Sequence, residues 1–267
     1  MPGNIFLIVV AILAQGCARE FQPTAELRED ETALVRSTVA DPGSVERLLE
    51  ILAERDRLVT IAAKSILPYQ QQMRALNADY HSNHASFNKK VDEFNRGRAR
   101  KQKQFIRLIV SMKRETSVAE WQIIARYQIG KLDLRKLIVQ ESQEEILGTY
   151  LLGGGILGGS FFTSADVDRI ANQVVLLVTE SARVQTASQT LAELKTENRK
   201  FDAIYAGSSK RFNHLYRNHA LDGSQMLALF DQLNSQTRSI QRRLIDLRFR
   251  LKSSITAVEW AAVFTTG

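Results

Sequence analysis

The sequence predicts an all-α protein, a duplicated long antiparallel helical hairpin forming a coiled-coil-like four-helix bundle. Three observations carry that prediction. Apolar residues recur in alternating three- and four-residue steps along two long stretches, the seam of helices that pack lengthwise on partners. The two stretches match one another at a spacing of 139 residues. Finally, only four prolines and fourteen glycines among 267 residues argue against a loop-rich β fold.

The spacing is set by Trp121 and Trp260, the only tryptophans. Each follows a glutamate, in Ser117-Val118-Ala119-Glu120-Trp121 and Thr256-Ala257-Val258-Glu259-Trp260. At that offset thirteen positions between 44 and 121 are identical, among them Leu52-Ala53-Glu54 with Leu191-Ala192-Glu193, and Asn95 with Asn234. The apolar register decides the match. Val45, Leu48, Leu52, Val59, Ala62, Ile66, Tyr69 and Met73 trace the first helix, with Arg55 its one charged interruption. Val184, Ala187, Leu191, Leu194, Asn198, Phe201, Tyr205, Ser208, Phe212, Leu215 and His219 stand along the counterpart. The second helices agree too, with Val91, Phe94, Phe105, Leu108 and Met112 against Phe230, Leu233, Leu244, Leu247 and Leu251. Self-similarity at a fixed period marks a repeated structural unit.

Each unit is a hairpin whose first helix runs near 44–80 and whose second runs near 86–114. Its arms reach about 45–55 Å at 1.5 Å per residue. Pro68 aligns with Gly207, and a kink is expected at each. His81-Ser82-Asn83-His84 and Ala220-Leu221-Asp222-Gly223 supply the turns. Ser117-x-x-Glu120 and Thr256-x-x-Glu259 are capping boxes that open a third helix. That helix continues to about Glu145 in the first unit and is a stub ending at Gly267 in the second. The tryptophans then plug the ends of the bundle rather than anchor a partner. Two hairpins with matched seams dock as one bundle with pseudo-twofold symmetry.

Residues 1–18 carry no charged side chain, and Ile5–Leu13 is a continuous apolar run. Its length suits a signal-peptide h-region and is too short to span a bilayer. The run ends in Leu13-Ala14-Gln15-Gly16-Cys17, which contains the only cysteine. This sequence resembles the lipobox of bacterial lipoproteins. The resemblance implies cleavage after Gly16, an acyl (palmitate-type) lipid on Cys17, and a mature chain anchored to the membrane rather than crossing it. Ala18 stands where lipoproteins retained in the inner membrane often carry Asp, so the resemblance implies the outer membrane, facing the periplasm. The expected organisation is a signal peptide over 1–16, a lipidated tether over 17–43, and the first hairpin with its connecting helix over 44–145. A glycine-rich apolar linker over 146–164 and the second hairpin over 165–267 complete it. The uncharged run from Ile146 to Ala165 contains six glycines and makes a poor membrane span. It is expected as a helix end and loop, with Thr163 or Ser164 capping the next helix, and an exposed apolar loop there is a candidate partner or lipid contact.

The balance of 36 basic against 29 acidic residues gives a net charge of +7. The excess concentrates between Ser86 and Arg114, where ten basic residues accompany only Asp92 and Glu93. At the centre lies Arg96-Gly97-Arg98-Ala99-Arg100-Lys101-Gln102-Lys103-Gln104. Either this is a solvated face whose long side chains lie over the seam, or Arg96, Arg98, Arg100, Lys101 and Lys103 form an anion- or partner-binding surface. In a periplasmic setting the matching ligands are an envelope protein, anionic lipid or a cell-wall component. Nucleic acid is disfavoured unless the chain is cytosolic, since no nucleic-acid-binding motif accompanies the patch.

No catalytic constellation emerges, and an enzyme is not expected. One cysteine excludes an internal disulfide framework and a thiolate-rich zinc site. The Gly153–Gly159 run lacks the following Lys-Ser/Thr of a phosphate loop. Glu-x-x-His pairs for a di-metal bundle site are missing. His81, His84, His214 and His219 all fall at or near the hairpin turns. If the units pack so that the turns share one end of the bundle, these histidines with Asp79 and Asp222 make a zinc or copper site conceivable. Exposed turn residues are often merely polar, though, and no two-His spacing repeats between the units, so no metal or cofactor is expected. Thr256-x-x-Glu259-Trp260 after a long helix resembles the placement of the Leu-Thr-x-x-Gln motifs in Spy- and CpxP-type periplasmic proteins, with Glu in place of Gln. That resemblance implies a stress chaperone or sensor as the alternative to the leading expectation, a non-enzymatic, membrane-anchored scaffold or binding module. A third alternative is a cytosolic basic coiled-coil protein that binds nucleic acid.

Overall fold

The structure, a computed structural model, describes residues 25–138 and 164–265. The expected signal peptide over 1–16, Cys17, the expected continuation of the connecting helix beyond 138 and the expected linker up to 163 lie outside the described residues. All regular structure among the described residues is helical. In chain order the helices are α1 (Ala25–Thr38), α2 (Pro42–Lys64), α3 (Ile66–Ala78), α4 (His84–Arg114), α5 (Val118–Ile138), α6 (Ser164–Leu177), α7 (Ser181–Arg217), α8 (Ser224–Ser254) and α9 (Ala257–Thr265). They pack as a helical bundle. The bounds of α6 stand 139 residues after those of α1, and the bounds of α7 stand 139 after the start of α2 and the end of α3. For α4 with α8, and for the starts of α5 and α9, the same spacing holds to within one residue.

Two differences from the expected elements have local causes. Within the range expected as a tether over 17–43, Ala25–Thr38 is a helix docked on α2 and α5. Its charged run hides one apolar face: Glu31, Val35 and Val39 follow at four-residue steps, and the two valines enter the core. Between α2 and α3 the helix breaks at Ser65. Pro68 has no N–H to offer the carbonyl of Lys64, and the Ser65 hydroxyl donates to the Ala62 carbonyl at 2.6 Å. The other half shows no such break, since α7 runs through Gly207 without interruption.

The two hairpins cross head to tail. Along the α4–α8 contact Asn95 pairs with Gln241 and Asn234 pairs with Gln102, an antiparallel register. On either side of that crossing lies an apolar core that draws on both halves of the chain. One contains Val35, Leu48, Met112 and Trp121 together with Phe212, Met226 and Phe230. The other contains Val174, Ala187, Leu251 and Trp260 together with Met73, Phe87 and Val91. Each of these residues has its counterpart in the other core at the 139-residue spacing.

Both ends of the bundle are sealed in the same manner. The capping boxes form as expected, with Glu120 accepting from the Ser117 backbone N–H at 2.6 Å and Glu259 from that of Thr256 at 2.7 Å. They aim the tryptophans inward. Trp121 Nε1 donates to the Tyr216 carbonyl at 2.9 Å, and Trp260 Nε1 donates to the carbonyls of Asn77 and Ala78 at 3.1 Å each. Each indole thus closes the last turn of a helix in the opposite half, where carbonyls lack intrahelical partners. Buried cations act beside them. Lys113 Nζ donates to the Asn218 carbonyl at 2.5 Å, and Arg248 Nη2 donates to the Asp79 carbonyl at 2.7 Å.

The halves differ where α1 docks. The Arg55 guanidinium grips Glu31 through two hydrogen bonds of 2.7 and 2.9 Å and also reaches Asp56 at 2.8 Å. Gln128 donates to Glu31 at 2.5 Å and accepts from the Tyr216 hydroxyl. Burial raises the Tyr216 hydroxyl above its ordinary range, which keeps it a donor. At the positions equivalent to Glu31 and Arg55 the second half carries Ile170 and Leu194, both fully buried. The charged interruption of the first seam is therefore one member of a buried pair that the second half replaces with apolar contact.

Two tests of the packing follow. Glu31→Ile or Arg55→Leu alone should cost about 2–4 kcal/mol in urea unfolding, by stranding the remaining charge, and the double variant should recover most of that loss. Gly223 adopts φ 96°, and a Cβ there would approach Val110 and Ile106 to 2.8 and 2.9 Å. Gly223→Ala should cost about 2–3 kcal/mol, whereas Gly97→Ala, with nothing within 4 Å, should be neutral or stabilising by up to about 1 kcal/mol.

Candidate functional site

The basic segment lies on α4, a helix of 31 residues whose N-cap, Asn83, accepts from the Ser86 backbone N–H at 3.0 Å. A helix of that length presents its positions to solvent or core by periodicity alone, so the five cations singled out in the sequence separate. Arg96, Arg100 and Lys103 are exposed, and Lys101 is half-buried beside the seam. Arg98 is not part of the surface, because its side chain has no exposed area. Two residues of helix turn the chain by about 200°, which carries position 98 to the face opposite 96. There Arg98 Nη2 donates to Asn234 Oδ1 at 3.0 Å, and Asn234 Nδ2 donates to Gln102 Oε1 at 2.7 Å. Asn95 Nδ2 donates to Gln241 Oε1 at 2.7 Å in the matching position. Arg98 thus belongs to the α4–α8 crossing rather than to an anion-binding surface.

Arg107 takes its place on the exposed face. Arg96, Arg100, Lys103 and Arg107 follow at four-, three- and four-residue steps and form one stripe about 16 Å long. None of the four enters an ion pair with a carboxylate among the described residues; Asp92 and Glu93, one to two turns earlier, pair with Arg238 and Lys90. The equivalent exposed positions of α8 are Ser235, Ser239, Arg242 and Asp246, which carry no net charge. The surface charge therefore distinguishes two helices that otherwise occupy matched places. Arg107 was discoverable in the sequence by continuing the heptad spacing from Arg96 and Arg100.

Other candidate groups take structural places. His84 and His219 sit at opposite ends of the bundle, because the crossing is antiparallel and α4 separates the two turns by about 45 Å. His84 stacks on Phe249 at 3.8 Å, and His219 Nε2 lies 2.7 Å from the Lys113 carbonyl and 2.8 Å from that of Thr116. No group of three potential metal ligands occurs among the described residues. Sequence reasoning missed Arg248, which is fully buried with its guanidinium carbon 4.6–4.9 Å from the rings of Phe87, Phe249 and Trp260. The first half has Ile109 at that position, so the repeat gave no signal for it. Four exposed apolar residues, Val175, Leu176, Leu177 and Val258, lie at the end of α6 and the start of α9, two helices in contact. No described helix is long and apolar enough to cross a membrane. No known protein family, curated protein or solved structure matches the chain.

The buried cap at Lys113 gives this region a pH signature. Burial lowers the ammonium to about 8, below the ordinary value near 10.4 that it has in the unfolded chain. Between those two pH values the unfolded chain binds more protons, so this group adds stability as pH rises from about 8 to about 10.4. The unfolding free energy of wild type should climb by about 1–3 kcal/mol relative to Lys113→Met across that window, measured by urea titration at each pH. A constant difference would remove the assignment.

Proposed function

We propose that the protein is a non-enzymatic, membrane-anchored periplasmic helical lipoprotein of the outer membrane that serves as a scaffold or binding module for an envelope component. The observation that carries this reading is the contrast at matched positions of two helices, with four unpaired surface cations on α4 and no net charge at the equivalent Ser235, Ser239, Arg242 and Asp246 of α8. A difference in exposed charge on equivalent sites, with the cores conserved in pattern, is what a specialised contact face requires. The Leu13-Ala14-Gln15-Gly16-Cys17 sequence supplies the anchor in this reading, through a lipid on Cys17. The recurrence of helix bounds at 139 residues supports descent of both hairpins from one unit.

A second reading, a stress chaperone of the Spy and CpxP type, draws on the exposed Val175, Leu176, Leu177 and Val258, which a holding chaperone would use to meet unfolded clients. It requires near-stoichiometric suppression of client aggregation, lost in Leu176→Ser/Val258→Ser.

The anchor is tested by fatty-acid labelling with membrane fractionation, comparing wild type with Cys17→Ala. Label and membrane association should both depend on Cys17; label-free wild type would sink the lipoprotein reading.

A further inference from the structure

We infer that the α4 stripe is a docking surface for an anionic phospholipid leaflet, so that the bundle lies with its long axis along the bilayer. This deepens the anchored-lipoprotein reading and rests on it. The chemistry of the stripe selects the partner. Arg96, Arg100, Lys103 and Arg107 all project to solvent from one rigid helix, and the remaining exposed residue among them, Gln104, is polar. Protein interfaces are built around buried aromatic or aliphatic anchors, and the stripe has none. It offers charge in a straight row and nothing to fill a pocket. A plane of phosphate headgroups satisfies that arrangement without needing complementary shape, and the attraction acts within about a Debye length of the surface.

The geometry of the chain permits the contact. Seven residues, or eight chain steps, separate Cys17 from Ala25, the start of α1. Fully extended they reach about 27 Å, more than the thickness of two helix layers at about 10 Å each. A lipid on Cys17 therefore leaves the bundle free to turn α4 toward the leaflet. The equivalent positions on α8, Ser235, Ser239, Arg242 and Asp246, carry no net charge, which predicts that the opposite hairpin does not make this contact.

The full chain is purified from membranes in detergent and its partitioning is measured on vesicles of phosphatidylcholine alone and of phosphatidylcholine with phosphatidylglycerol. An acyl chain or apolar N-terminus acts on both vesicles alike, so the ratio reports charge. Each cation near such a surface contributes roughly fivefold. Wild type should favour the anionic vesicles by about 100-fold or more at low ionic strength, and the preference should collapse as salt rises. Arg96→Glu/Arg100→Glu/Lys103→Glu/Arg107→Glu should abolish the preference with an unchanged urea midpoint, while Arg242→Glu on α8 should change it less than fivefold. A ratio near one for wild type, or a preference that survives the fourfold reversal, overturns the inference. So does tight, salt-steep binding of the stripe to single-stranded DNA without a vesicle preference. Failure here together with Cys17-dependent labelling leaves the lipoprotein reading standing; a vesicle preference without labelling separates the two in the other direction.

Discussion

The rest of the architecture depends on the antiparallel crossing of α4 and α8, and that crossing is fixed by side-chain amides. Asn95 meets Gln241 and Asn234 meets Gln102, each at 2.7 Å, with Arg98 beside them and Thr237 at the equivalent position on α8. A slide of one heptad along the seam would keep one amide pair, Gln102 with Gln241 or Asn95 with Asn234, and set another amide against an apolar residue, Asn234 against Ile109 or Gln102 against Leu227. Each buried polar group left without its partner costs about 1–3 kcal/mol, whereas apolar contacts alone would tolerate the slip. With the register set, the ends follow. Trp121 reaches Tyr216, Trp260 reaches Asn77, and Lys113 and Arg248 arrive over the carbonyls that terminate α7 and α3.

Departures from the match between halves fall into two kinds. Inside, Glu31 with Arg55 answers Ile170 with Leu194, and Ile109 answers Arg248; one half fills the space with apolar volume and the other with charge, held by a carboxylate at Arg55 and by carbonyls and aromatic rings at Arg248. A buried ion pair adds little net stability over an apolar pair, so the interior gains specificity of docking rather than strength. Outside, Arg96, Arg100, Lys103 and Arg107 answer two serines, an arginine and an aspartate. No packing demand accounts for that contrast, because the positions touch solvent in both halves.

Much of the bundle was legible from periodicity. The seams, the capping boxes and the inward tryptophans are encoded locally, in steps of three and four residues and in Ser/Thr-x-x-Glu. What resisted was nonlocal. The docking of α1 depends on Glu31 finding Arg55 across 24 residues, and its charged composition masks a face only two valines wide. The break at Ser65 was near the expected kink at Pro68, yet Gly207 stayed helical because a glycine permits a bend without removing a hydrogen bond. Within the basic segment the composition was plain and the direction was not. Arg98 turned inward because its seam position outweighs its charge once Asn234 is there to receive it.

The head-to-tail exchange has a consequence for synthesis. When the ribosome has released only the first hairpin, Trp121 has no Tyr216 to meet, and Met112 and Leu48 lack Phe212 and Phe230 beside them. Neither core is complete until residues beyond 230 have emerged, so the chain cannot commit to its interior piecemeal. Nascent protein must carry unburied apolar seams through most of its translation. Both ends can close only once the second hairpin is available, and any factor that holds the chain open need only act before that moment.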